Sequence, residues 1–195
     1  MEITTQRRRG AELEAALLDA VWAELAEKGY LGLTMEGVAA RASTGKQVLY
    51  RRWPSRPQMV LAAVRHRWSS LADDLPDTGS LREDVLVLMG RMAQRFDQLG
   101  PDLINGLLAD ADAGEAMPEA QGRMAEAMAA VLSRAVARGE ADPARLTPRV
   151  ATLPSDLLRH ELLLYRHRPT TQTITEIVDD IFLPLVARHP ESFGA

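Results

Sequence analysis

The chain contains no cysteine, and aromatic residues make up only 5% of its 195 residues. The absence of thiols excludes disulfides and thiolate metal sites, which is typical of proteins in a reducing cytosol. No stretch approaches the roughly 18 consecutive apolar residues that a membrane-spanning helix requires. The charged N-terminus is not followed by the apolar run of a secretory signal peptide. We therefore expect a soluble, cytoplasmic protein that holds no metal and no other cofactor.

Sequence motifs of catalysis are also missing. The chain has no Gly-x-Ser-x-Gly turn, no Walker loop and no dinucleotide-binding glycine pattern. Its four histidines have none of the spacings of zinc ligands; they are His66, His160, His167 and His189. His160-Glu161 is a polar pair within an apolar helix, and we expect it at the surface or at a subunit interface. The sequence predicts no catalytic residues and a protein that is not an enzyme.

Strand patterns are scarce, whereas helical spacing recurs along the chain. Period-two alternation is nowhere sustained, and apolar residues repeat every three to four positions. We expect an all-α protein of about nine helices, with domains at residues 10–70 and 71–195. The predicted helices cover residues 11–28, 35–42, 46–53, 56 to about 75, 81–99, 102 to about 112, 118–138, 147–167 and 171–189, and residues 76–80 and 112–118 are predicted loops.

Charge is distributed unevenly. The formal net charge of the chain is -4, yet residues 1–70 contain 11 Lys and Arg against 7 Asp and Glu, a charge of +4. The remaining residues therefore carry -8. A basic N-terminal part joined to an acidic remainder indicates that the N-terminal part contacts a polyanion such as nucleic acid.

The segment from Thr34 to Pro57 has the pattern of a helix-turn-helix, whose second helix lies in the DNA major groove. Thr34 is an N-cap candidate, small residues form the turn, and Pro54 ends the next helix. Trp53 is expected in the core. Of Arg51 and Arg52, only one is expected to face DNA. The residues predicted to contact DNA are Thr34, Thr44, Gly45, Lys46, Gln47, Tyr50, Arg51, Arg52 and Arg56. A basic arm, Arg7 to Arg9, either follows the DNA or is a solubilising tail.

These residues resemble the TetR family of transcriptional regulators. The resemblance rests on Gly29-Tyr30, on Leu33-Thr34-Met35, and on Lys46 with residues 49–56. It implies a three-helix DNA-binding domain joined to a helical ligand-binding and dimerisation domain. It also implies a homodimer, a palindromic double-stranded DNA operator, and a small-molecule effector that releases a repressor from that operator.

The turn departs from the family's usual Ala-Gly-Val-Ser, because this chain has Ala42-Ser43-Thr44-Gly45. Ser43 replaces a glycine that often adopts positive φ, which costs a non-glycine residue some free energy. Gly45 lacks the hydroxyl that can cap the next helix and reach a phosphate, although its backbone N–H stays available. We expect this change to weaken one DNA contact and to leave the motif intact.

The C-terminal part offers candidates for a ligand pocket and for a subunit interface. Methionines suit an adaptable apolar cavity, so the pocket candidates are Met89, Met92, Phe96, Leu103, Leu107, Met124 and Met128; a plain domain core is an equal alternative for them. Two late helices carry broad apolar faces that predict a four-helix dimer interface, formed by Leu157, Leu158, Leu162, Tyr165, Ile174, Ile177, Val178, Ile181, Phe182 and Leu185. A helical binding or enzymatic domain with another partner for its basic part stays open as the alternative function.

Overall fold

The computed structural model describes residues 10–68, 73–110, 112–165 and 169–188, and for residues 113–121 it describes the backbone only. The basic arm at residues 7–9, as well as His167 and His189, lies outside the described residues.

The described residues form an all-helical protein, as the sequence predicts. The helices in chain order are α1 (Ala11–Gly32), α2 (Met35–Arg41), α3 (Lys46–Tyr50), α4 (Arg56–Arg67), α5 (Leu81–Leu99), α6 (Pro101–Ala109), α7 (Ala113–Arg138) and α8 (Pro148–Tyr165). Residues 171–186 form the last helix, made of α9 (Thr171–Glu176), a π-helical stretch (Ile177–Phe182) and α10 (Leu183–Val186). Counting the last helix as one, the described part of the chain has nine helices besides the 3-10 turn Pro143–Arg145. Within the described ranges, no helix combines the length and the apolar composition that crossing a bilayer requires.

The chain divides into two compact units. The first, which we call the head, contains residues 1–69 and 106–117, and the second, the body, contains residues 70–105 and 118–195. The sequence-based division placed residues 106–117 with the second domain, whereas their packing assigns them to the first. Helices α6 and α7 therefore each contribute residues to both units.

The core of the head lies where α1 packs against α2 and α4. Leu17, Val21, Val38 and Leu49 are fully buried there. The apolar repeat of α1 predicted this face, because residues three to four positions apart share one side of a helix. Gly29 adopts φ 67, so the regular part of α1 stops there and one further turn leads to Leu33.

The core of the body is built by α5, α7, α8 and the last helix. Leu88, Met128, Leu158 and Phe182 are among its fully buried side chains. The π-helical stretch precedes Pro184, which has no N–H to donate to the preceding turn. A local change of hydrogen-bond register is a common response to such a missing donor.

Three helix boundaries differ from the predictions. Helix α4 ends at Arg67 and not near residue 75, because Trp68 leaves the helical conformation and packs edge-on against Trp22 at 5.2 Å between ring centroids. Helix α3 stops at Tyr50 and gives way to a turn before Pro54. Residues 112–118 are not a loop, since α7 begins at Ala113 and continues through Pro118. A proline near a helix start removes only one hydrogen bond, so alanine-rich flanking sequence can continue the helix.

Candidate nucleic-acid interface

Helix α2 is held in place by a cap and by a buried acid. The Thr34 hydroxyl accepts a hydrogen bond from the Gly37 N–H at 3.0 Å, as the sequence predicts. Glu24 of α1 is buried and accepts hydrogen bonds from Lys28 and from Nε of Arg41, the latter at 2.8 Å. The hydrogen bond from Lys28, and then that from Arg41, lowers the pKa of the Glu24 carboxyl. A side chain at Gly37 would collide with Glu24, so this glycine permits the close approach of the two helices.

The sequence analysis missed this acidic contact. Glu24 follows Leu17, Ala20 and Val21 on the buried stripe of α1, which was the available signal, because a charged residue there requires a partner. Its partner Arg41 lies 17 residues away on another helix. The pair attaches the C-terminal end of α2, and therefore the start of the turn, to α1.

The turn between α2 and α3 carries the expected backbone strain. Ser43 has φ 53 and is the one non-glycine residue with positive φ in the described part of the chain. The Thr44 N–H donates to the Ala39 carbonyl at 2.9 Å, which closes the turn. Gly45 has φ -79, a conformation open to any residue, and it caps α3 without a side-chain hydrogen bond. The glycine therefore stands two positions after the residue that needs it.

Helix α3 separates an inward face from an exposed face. Leu49 and Trp53 are buried, and the expected core position of Trp53 is confirmed. Lys46, Gln47 and Tyr50 are exposed, the last with 44% of its surface. A tyrosine with so much exposed surface is not a core residue, and its hydroxyl is available to an external partner.

The two adjacent arginines differ in their surroundings. Arg51 is exposed and has no hydrogen-bond or ion-pair partner among the described residues. Arg52 is half-buried, and its Nη1 donates to the Val48 carbonyl at 3.3 Å. Lys46 lies 3.8 Å from the carboxylate of Glu36, an exposed pair that leaves the ammonium group accessible. Arg51 and Lys46 are thus the accessible cations of this surface within residues 34–55.

Arg56 is placed differently from the other predicted contacts, because its guanidinium faces other residues of the head. Its Nε and Nη2 donate to Oδ2 of Asp110 at 3.0 and 2.6 Å, and Nη1 donates to the Leu33 carbonyl at 3.4 Å. The Tyr30 hydroxyl donates to the same Asp110 oxygen at 2.9 Å. Burial alone raises the pKa of Asp110, but the hydrogen bonds from Arg56 and Tyr30 outweigh it and hold the pKa below its ordinary value.

The residues predicted for a ligand pocket are largely core residues. Met89, Met92, Met124 and Met128 are buried in the core of the body, and Phe96 packs against that core. Leu103 and Leu107 are buried too, but they belong to different units. None of the seven lines the groove of about 440 Å³ on the body, which is formed by Leu86, Gly90, Pro169, Thr170, Thr171, Ile174 and Thr175.

The residues predicted for the dimer interface divide into two groups. Six are buried within the core of the body and are unavailable to another chain: Leu158, Leu162, Ile174, Ile177, Val178 and Phe182. Leu157 is half-buried. Tyr165, Ile181 and Leu185 remain exposed, with 57%, 42% and 44% of their surfaces accessible, and Leu164 is exposed as well. The structure therefore moves six residues from the expected interface into the core, because one subunit already covers them.

Known proteins resemble the chain along most of its length. A family model described as bacterial regulatory proteins, tetR family, matches residues 17–63, and one described as tetracyclin repressor-like, C-terminal domain, matches residues 75–181. The chain is 33% identical over 184 residues to the DNA-binding transcriptional repressor TetR of Mycobacteroides abscessus, covering 91% of this chain and 96% of that protein. It is 32% identical over 180 residues to an uncharacterized HTH-type transcriptional regulator of Mycobacterium bovis, covering 90% and 88%. The crystal structure of the TetR family transcription regulator SCO0332 matches with a TM-score of 0.67 at 25% identity, covering 91% of this chain and all of that one.

Proposed function

The chain belongs to the TetR family of transcriptional regulators, and we propose that it is a repressor that binds a palindromic operator as a homodimer and leaves it when a small molecule binds. The family is one of regulators and not of enzymes. The name of the M. abscessus relative supports repression as the mode of control. A cytoplasmic location follows from the proposed partner, since the operator lies in the chromosome.

The exposed face of α3 carries the proposal of DNA binding. Lys46, Gln47, Tyr50 and Arg51 project from one short helix whose opposite side is fixed by buried Leu49. Lysine and arginine bind phosphates or guanine, and glutamine can make a bidentate contact to adenine. Thr34, Thr44 and the N–H of Gly45 lie beside α3 in the chain and complete the proposed contact surface. Arg52 is assigned a supporting role, because its side chain returns to the helix backbone.

The exposed apolar residues of the body support a homodimer. Leu164 and Tyr165 at the end of α8, together with Ile181 and Leu185 of the last helix, are all of the exposed large hydrophobic residues found in the described part of the body. Their concentration on two helices is the pattern of an interface, because scattered exposure is the usual pattern elsewhere. Two copies paired through these helices present two recognition helices to DNA, which is why the operator is expected to be palindromic.

The effector is expected to bind in the body and to be largely apolar. The methionine side chains of the core adapt to guests of different shape, and the groove next to Ile174 offers apolar surface with threonine hydroxyls. Release of DNA requires that the effector bind one conformation of the dimer more tightly than the other.

A salt titration of DNA binding tests the proposal. We expect tight binding to a duplex from the promoter region flanking the protein's own gene, with log K falling linearly with log salt as counterions are released. Lys46→Ala and Tyr50→Phe are expected to weaken binding with fold and dimer intact. If Lys46 contacts one phosphate, the slope falls by about 0.9 in the Lys46 variant.

Arg149→Ala removes an exposed cation from the body and is the matched control, with unchanged affinity and slope expected. Unchanged affinity in both the Lys46 and Tyr50 variants contradicts the placement of α3 in the groove. Absence of salt-dependent binding to any promoter duplex contradicts the proposed function as a whole.

A further inference from the structure

We propose that Asp110 is a positioning residue for DNA recognition, acting through its ion pair with Arg56. The inference rests on the proposed DNA binding and assigns to it a residue that lies 54 positions after Arg56 in the chain. Arg56 itself acts inside the head, in place of the phosphate contact that its sequence position suggests.

Arg56 joins the two ends of the helix-turn-helix segment. It is the first residue of α4, directly after the segment from Thr34 to Ser55, and its Nη1 donates to the carbonyl of Leu33, directly before that segment. The guanidinium also stacks on the Tyr30 ring, with 4.6 Å between Cζ and the ring centroid. The point where the recognition segment begins and the point where it ends are therefore held by one side chain.

Asp110 fixes the direction of that guanidinium. Its carboxylate is largely buried, with 9% of the side chain exposed, and one oxygen accepts from two nitrogens of Arg56 and from the Tyr30 hydroxyl. The other oxygen accepts from the Asp112 N–H at 3.1 Å. Charge-assisted hydrogen bonds in such a shielded place are stronger and more directional than surface pairs. A guanidinium held at three nitrogens in this way has little capacity left for a DNA phosphate.

Gly106 gives independent support, because it allows the end of α6 to lie against Tyr30. A methyl group at Gly106 would stand 2.5 Å from Cδ1 of the Tyr30 ring, and Cγ and Cβ of that residue lie at 3.0 and 3.1 Å. Cβ cannot move without the backbone. The close approach that brings Asp110 to Arg56 thus requires glycine at this position, and Gly106→Ala disturbs the same contact without altering any charge.

Binding of a duplex selected by the wild-type protein from a random-sequence pool tests the inference. We expect Asp110→Asn and Arg56→Gln each to weaken binding about tenfold, within the range of coupling between separated sites. The slope of log K against log salt should not change, since no phosphate contact is lost. The double variant should bind no worse than the weaker single variant, because both substitutions break one pair and together leave no unpaired charge.

Asp112→Asn makes the same chemical change two residues away on an exposed side chain and is expected to bind like wild type. A stoichiometric titration gives the active fraction of each preparation, which separates weaker binding by folded protein from loss of folded protein. If Asp110→Asn alone does not fold, the double variant and Gly106→Ala carry the test, and each is expected to bind more weakly with an unchanged slope.

Two results overturn the inference while the proposed function stands: wild-type affinity in the Asp110 and Gly106 variants, or additive losses in the double variant. A slope that falls by about 0.9 in Arg56→Gln shows a phosphate contact and also overturns it. If the wild-type protein selects no duplex, the proposed function fails first, and the inference fails with it.

Discussion

Exchanging the two outer residues of the turn should stabilise the head. The exchange is the double variant Ser43→Gly with Gly45→Ser, which leaves the composition of the chain unchanged. Ser43 has φ 53, and an L-residue in this region costs roughly 1–2 kcal/mol that glycine does not incur. Gly45 has φ -79 and ψ 142, and a Cβ there meets nothing within 4 Å, so serine fits without strain.

The size of the effect follows from three contributions. Relief of the strain at position 43 contributes roughly 1–2 kcal/mol. A serine hydroxyl at the N-cap of α3 adds a few tenths of a kcal/mol over glycine, about 0.3. The entropy of the unfolded chain cancels to first order, because one glycine is lost and one is gained. We therefore expect the free energy of unfolding to rise by about 1.5–2 kcal/mol. Ser43→Gly alone should give less, because glycine adds about 0.4–1 kcal/mol of unfolded-state entropy.

Urea unfolding followed by tryptophan fluorescence is the suitable assay. All three tryptophans, Trp22, Trp53 and Trp68, lie in the head, so the signal reports on this unit. Ser43→Ala is the control, since alanine keeps the strained φ and should change stability by less than about 0.5 kcal/mol. The reasoning is refuted if the exchange variant is no more stable than wild type, or if Ser43→Ala stabilises the head equally.

Three further predictions concern other parts of the molecule. Glu36→Gln frees Lys46 from its 3.8 Å ion pair and should tighten operator binding about two- to fivefold, the worth of an exposed pair, whereas Glu12→Gln on α1 should not; equal effects of the two would indicate net charge alone. Leu49→Ala should lower the free energy of unfolding by about 2–5 kcal/mol through the cavity it leaves beneath α3, and a loss under 1 kcal/mol in a fluorescence-monitored melt contradicts that packing. Ile181→Glu combined with Leu185→Glu should convert the dimer to a monomer in light scattering, while Leu31→Glu, an exposed leucine of the head, should not; a dimer that survives the first pair refutes the proposed interface.

The local features of the head could be predicted from the sequence because each depends on residues close together in the chain. The cap at Thr34, the stop at Gly29 and the strain at Ser43 follow from the preferences of these residues and their immediate neighbours. The buried position of Trp53 beside Pro54 follows for the same reason. The division of helices along the body was predicted from the glycines that end α5 and α7, Gly100 and Gly139.

The apolar faces of the late helices show where sequence reasoning was insufficient. An amphipathic repeat predicts that a face is buried but does not identify the helix that covers it. Leu158 and Phe182 were assigned to a second subunit, yet they complete the core of their own body. The exposed set of Leu164, Tyr165, Ile181 and Leu185 emerges only after that core has been filled.

The sequence by itself determined that this protein is all-helical, that residues 34–57 form a helix-turn-helix, and that the chain belongs to a family of DNA-binding regulators. These properties are encoded in short-range periodicity, capping and turn residues. Only the tertiary structure decided that Arg56 meets Asp110, that Glu24 meets Arg41, and that Arg51 is more accessible than Arg52. The physical reason is that each of these outcomes depends on which distant helix packs nearby, and charge pairing across 17 to 54 residues leaves no periodic trace in the sequence.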